Sequence, residues 1–191
     1  MPDPDRKSVL RQVYVWDPFV RVFHWTLVAA FTVAYLTDDL LIIHVWAGYV
    51  VGALVAARIV WGFFGPPHAL FSDFVYAPAI ALRYVRDLLQ FRAGERRIGH
   101  SPGGGYVIIL MLVFLAATVV TGVIVYGGEQ QAGPLAGMFT EERGEAMEQW
   151  HEVFANITLA LTCVHTVGVL LRSFVYRENL VRAMFTGYKR Q

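Results

Sequence analysis

Four histidines, His24, His44, His151 and His165, lie inside or at the edges of apolar segments long enough to cross a bilayer. An ionisable residue in such a segment is costly, which makes each a candidate functional residue. His151 and His165 are separated by 14 residues of one continuous helical stretch. At about 100° and 1.5 Å per residue they share a face to within roughly 40° and lie about 21 Å apart along the axis. One helix can therefore offer an imidazole near each membrane surface.

His24 lies a turn or two into the first apolar segment, and His44 begins the second, which runs back in the opposite direction. Depth thus pairs His24 with His165 and His44 with His151. Each pair can hold one planar iron porphyrin, since haem iron takes axial imidazoles and helical bundles build such sites from facing helices. The expectation is two bis-histidine haem b groups with His24, His44, His151 and His165 as the iron ligands. With both axial positions filled by protein, the iron is suited to electron transfer rather than oxygen binding. Two other readings are open: histidines that hydrogen-bond between helices, or ligands of another transition metal. Structural zinc sites, however, gather four ligands at one point, and these four divide into two.

Neighbouring residues suit a bulky cofactor. Gly48 and Gly52 follow His44 by one and two turns, and Gly168 follows His165, leaving room for a macrocycle. Arg58, also 14 residues from His44, shares its face at the depth of the other pair, where its guanidinium could meet a haem propionate. Arg21, one turn before His24, is a second candidate, with snorkelling to the headgroups as the alternative for both.

The elements that must position these residues follow from composition. Of 191 residues, 56% are hydrophobic and 16% charged, outside the range of ordinary soluble domains. With about 20 apolar residues needed per span, four spans are expected at about 19–36, 41–64, 104–126 and 151–175. The fold class is accordingly all-α: a four-helix transmembrane bundle forming a single membrane domain over 1–191. No short apolar run with a cleavage site precedes the first span, so a removable signal peptide is not expected.

Basic residues concentrate in the N-terminal segment (Arg6, Lys7, Arg11), the middle loop (Arg83, Arg86, Arg92, Arg96, Arg97) and the C-terminal segment (Arg172, Arg177, Arg182, Lys189, Arg190). By the positive-inside rule these regions, with both termini, are expected in the cytoplasm of a multi-pass bacterial inner-membrane protein. Residues 75–91 mix apolar side chains with Arg83, Arg86 and Asp87, which predicts a short interfacial helix on that side. Trp16, Trp25, Trp46, Trp61 and Trp150 fall at or near span ends and are expected as interfacial anchors. The opposite face carries Asp38, Asp39, Glu129, Glu141, Glu142, Glu145, Glu148 and Glu152 against Arg143. Such a field favours a basic protein partner over a small anion; a merely solvated loop is the alternative. Cys163, the only cysteine, is expected as a small core residue and excludes an internal disulfide. The partners expected besides lipid are therefore electron carriers, with no nucleic acid; a homo-oligomer is compatible with the sequence.

Several stretches together resemble the bacterial cytochrome b561 family, which includes the cytochrome b subunits of nickel-iron hydrogenases. They are residues 16–25 (WDPFVRVFHW), 44–49 (HVWAGY), 58–62 (RIVWG), 99–102 (GHSP), Thr121-Gly122, His151-Glu152, 165–168 (HTVG) and 178–184 (ENLVRAM). The resemblance implies a diheme cytochrome b passing electrons between an outer-face partner and the membrane quinone pool. That partner would be a cytochrome c or a hydrogenase small subunit. Quinone contacts are implied in the loop 99–105, with His100 and Ser101, although the family often carries Asn where this chain has Ser101. His100 would then handle a quinol proton; an ordinary exposed loop histidine is the alternative. His68 also fits the pattern without an evident role. A stand-alone superoxide:quinone oxidoreductase of the same fold and a haem-free metal transporter are the competing functions.

Overall fold

The structure, a computed structural model, describes residues 12–92 and 99–190. Arg6, Lys7, Arg11, Arg96 and Arg97, which carry part of the charge argument, lie outside the described residues. In chain order the elements are β1 (Gln12–Tyr14), α1 (Pro18–Leu36), α2 (Leu41–Phe64), a 3-10 turn (Phe71–Asp73), α3 (Pro78–Leu89), α4 (Pro102–Glu129), α5 (Glu141–Val175), α6 (Leu180–Thr186) and β2 (Tyr188–Arg190). Helices α1, α2, α4 and α5 are each long and apolar enough to cross a membrane. The chain is an all-α membrane protein.

Local chemistry sets where these helices start. Asp17 accepts a hydrogen bond from the Val20 amide at 3.1 Å with Pro18 as the first helical residue. Ser101 does the same for Gly104 at 3.2 Å ahead of Pro102. A side-chain acceptor followed by proline satisfies an orphan donor and presets φ. The turn between α1 and α2 closes through the Leu40 amide donating to Thr37 O at 3.0 Å.

Helix α5 begins ten residues before the expected boundary, at Glu141 rather than His151. Hydropathy marks only where a helix becomes apolar, whereas Glu, Ala, Met and Gln propagate helix on the polar side of that boundary. Glu141 and Glu142 in the first turn also complement the helix dipole. At 35 residues the helix is about 52 Å long, far beyond a hydrocarbon core of about 30 Å, so it projects past one membrane surface. Helix α4 likewise runs on to Glu129, because Gly128 and Gly144 let the two backbones close: a Cβ at Gly128 would lie 2.9 Å from the Gly144 Cα.

Backbones approach closely between α1 and α2, α2 and α4, and α4 and α5. Among the described residues α5 stands off from α1 and α2, bridged by a hydrogen bond from Tyr35 Oη to Asn156 Oδ1 at 3.0 Å. Val51, Val55 and Leu115 make the mid-bundle core of α2 and α4. A second core of Val15, Trp16, Val20, Ala69 and Ala183 closes the end of the bundle that holds both termini. There β1 and β2 pair antiparallel, with Val13 opposite Lys189 and Tyr14 opposite Tyr188.

Two expectations about single residues are corrected. Trp16 is buried in the terminal core rather than anchored at the interface, because the β ribbon folds over it; Trp46 and Trp150 are exposed as anchors should be. Cys163 is exposed on the outside of the bundle, not in its core, since two residues from His165 on a helix is the opposite face.

Candidate functional site

The fold brings the four histidines into two facing pairs. His24 of α1 and His165 of α5 have ring centroids 6.5 Å apart, and His44 of α2 and His151 of α5 have theirs 5.8 Å apart. Imidazole–metal bonds of about 2 Å on either side of one ion, plus the ring radii, put two centroids about 6 Å apart. Both pairs match that separation, and both face the space where α5 stands off from its neighbours.

Hydrogen bonding orients the pair nearer the α1–α2 turn. His44 Nδ1 lies 2.9 Å from Ala34 O and His151 Nδ1 lies 2.9 Å from Thr118 O. A carbonyl accepts only, so each Nδ1 carries the proton and each Nε2 keeps its lone pair for a metal, the usual tautomer lock behind a ligating imidazole. Thr121 Oγ1 lies a further 3.4 Å from His151 Nδ1. Gly122 is needed behind this ring, since a Cβ there would fall 2.7 Å from His151 Cε1. In the other pair His24 Nδ1 is buried with no hydrogen-bond partner, a donor atom left for an outside group. Cβ atoms at Gly48 and Gly168 would meet nothing within 4 Å, leaving the open volume a macrocycle requires. Among the described residues no three His, Cys, Asp or Glu side chains converge on one point. The donors therefore come in twos, and each pair could hold one haem iron.

Basic side chains collect around the His24–His165 end. Arg58 is 3% exposed, so it does not snorkel. Its Nη2 donates to Ala69 O at 3.0 Å, its guanidinium lies 5.1 Å from the Phe71 ring centre, and Nη1 has no partner. Arg21 donates through Nη2 to Phe185 O, with Nε buried and unpartnered. The carbonyl of Gly99, in the loop before α4, accepts from Lys189 Nζ at 3.3 Å and from Arg172 Nη1 at 3.5 Å. Alternation along β2 turns Lys189 inward while Tyr188 stays exposed. Burial, then the charge of Arg172, pulls the Lys189 pKa down to about 8, with Glu178 acting the other way.

His100 is not an exposed loop residue. Its ring is enclosed between Trp16, at 4.6 Å, and Phe74, at 4.5 Å, and its Nδ1 is buried without a partner. Burial, followed by the charges of Arg58, Lys189, Arg172 and His165, holds its pKa well below the ordinary histidine value. His100 is therefore neutral at physiological pH. Ser101 caps α4, so its hydroxyl already has a structural partner. His68 adopts φ 72° and donates its amide to Asp73 Oδ2 at 2.7 Å, which gives it a turn-forming role.

The family model described as "Prokaryotic cytochrome b561" matches residues 15–187. The chain belongs to the prokaryotic cytochrome b561 family. A b561 protein is a membrane b-type cytochrome working in electron transfer, and haem b is the group that the paired imidazoles fit. The relatives of this b561 chain include proteins named probable Ni/Fe-hydrogenase B-type cytochrome subunit. That of Azotobacter vinelandii is 23% identical over 93% of this chain and 88% of its own length. The one from Cupriavidus necator is 22% identical over 94% of this chain and 88% of its own. The Rhodobacter capsulatus protein is 22% identical over 97% and 85% respectively. No solved structure matches the chain.

The sequence reading missed the carbonyls of Ala34 and Thr118, which carry no side-chain signal. It also missed the part played by Gly122, visible only as half of the Thr121-Gly122 motif, and by Lys189, whose tail position gives no hint of burial.

Proposed function

We propose that this b561 protein is a diheme cytochrome that carries electrons across the bacterial inner membrane, between a redox partner at the outer face and the quinone pool. One observation carries the reading: two facing histidine pairs, presented by a single helix about 21 Å apart, each at an imidazole separation suited to one iron. His44 and His151 hold the outer haem, His24 and His165 the inner one. Bound haem supplies reversible one-electron exchange at iron. The four histidines would hold the two haem irons and leave no site on them for oxygen, and helix α5 would fix the distance between the two centres.

Arg58 Nη1 and Arg21 Nε are the donors that would receive propionate oxygens of the inner haem. Quinone is expected beside the loop 99–105, where neutral His100 can hydrogen-bond it through its unpartnered Nδ1. The positive-inside distribution supports cytoplasmic termini. The acidic start of α5, which projects beyond the membrane, supports a basic outer partner, and the naming of the relatives makes a hydrogenase small subunit a leading one beside a cytochrome c. The same acidic field disfavours superoxide as a substrate, since that anion would be repelled.

A pyridine haemochrome assay on the purified chain tests this reading: close to two b haems per polypeptide are expected. His165→Ala should lose the inner haem and quinone reactivity while the outer haem is still reduced. Absence of haem from folded protein, or equal loss of both haems in the variant, would overturn it.

A further inference from the structure

Helix α5 ends at Val175, the chain reverses through Arg177 at φ 50°, and α6 runs back across the end of the bundle. Between the last turns of α5 and α6 lies an open groove of about 750 Å³. One wall is apolar: Leu170, Phe174, Val181 and Phe185, of which Phe174 is 74% exposed. At its rim stand Arg177 and Arg182, both exposed and neither in an ion pair among the described residues. Glu178 also borders the groove but is buried, with its charge acting on Lys189.

This groove lies where a spanning helix ends, at headgroup depth in the leaflet on the side of both termini. An apolar wall running into the bilayer beneath a pair of free guanidinium groups is complementary to an acyl chain beneath a phosphate. We propose that the groove between α5 and α6 is a specific seat for an anionic phospholipid, its phosphate held by Arg177 and Arg182 and one chain lying along Leu170, Phe174 and Phe185. The contrast with α3 is informative. Arg86 there already faces Asp87 at 3.7 Å, a counter-charge on its own helix.

The seat bears on the bundle through α6. The Phe185 ring stacks on Trp25 at 4.2 Å and 16°, Arg21 donates to Phe185 O, and Trp25 contacts His24 with ring centroids 5.0 Å apart. A lipid filling the groove braces α6 against the turn of α1 that carries His24.

The test is native mass spectrometry of the full chain in mild detergent with equal amounts of phosphatidylglycerol and phosphatidylcholine. Phosphatidylcholine offsets its phosphate with a quaternary ammonium, so about 1 kcal/mol for each arginine gives a preference of about twenty-fivefold for phosphatidylglycerol. Arg177→Gln with Arg182→Gln should abolish that preference, Arg182→Gln alone should reduce it about fivefold, and Arg83→Gln with Arg86→Gln should leave it intact. An unchanged visible haem spectrum shows that each variant is folded. Equal retention of both lipids by the wild type, persistence of the preference in the double variant, or its loss in the α3 variant would overturn the proposal.

Discussion

Replacing Gly122 with Ala tests the outer histidine pair without touching a ligand. The added Cβ would lie 2.7 Å from His151 Cε1 and 2.9 Å from Nδ1, where ordinary contact begins near 3.4 Å. The imidazole must therefore retreat by about 0.7 Å, since α4 cannot move away while Gly128 and Gly144 hold it against α5. That retreat stretches the Nδ1–H bond to Thr118 O from 2.9 Å to about 3.6 Å, beyond hydrogen-bonding range. Loss of such an orienting bond typically lowers metal affinity 10- to 100-fold, about 1.4–2.7 kcal/mol. Alanine is the better helix former by about 1 kcal/mol, so a loss cannot be blamed on α4 itself. Haem stoichiometry, with a redox titration of the reduced bands, should show the outer haem weakened or shifted and the inner haem, about 21 Å away, unchanged. Two fully occupied haems with wild-type potentials, or equal damage to both, would refute the geometric argument.

Lys189 gives a pH-dependent prediction. The folded protein lowers its pKa from 10.5 to about 8, so the unfolded chain holds this proton more tightly than the folded one. Its cost is thus fully present below pH 8 and disappears as pH rises towards 10.5, a change of about 3 kcal/mol at most. Thermal unfolding of wild type compared with Lys189→Met should show the wild type gaining relative stability between pH 8 and 10; parallel profiles would refute it. At the outer face, reversing Glu145 and Glu148 to Lys should slow association of a basic c-type cytochrome by about tenfold at low salt. High salt should shrink that difference, and a salt-independent rate in both proteins would exclude steering.

The spans, the positive-inside bias and the four histidines were legible because the bilayer imposes its constraints on contiguous sequence: about 20 apolar residues per crossing, with a cost on every ionisable group inside. The pairing could be worked out from depth alone because helical rise and rotation per residue are fixed. The start of α5 was not legible from hydropathy, because helix formation does not stop where apolarity does. The β1–β2 ribbon was equally hidden, as two three-residue strands from opposite ends of the chain carry no periodicity long enough to detect.

By itself, the sequence determined the class of the protein, the number of crossings and which residue types face one another at each depth. Only the tertiary structure decided how those residues are used. It locked the tautomers of His44 and His151 with carbonyls from neighbouring helices, enclosed His100 between Trp16 and Phe74, and turned a tail lysine into a buried cation. Spacing along a helix is a local property, whereas burial, tautomer and hydrogen-bond partner depend on which distant backbone atoms are brought alongside.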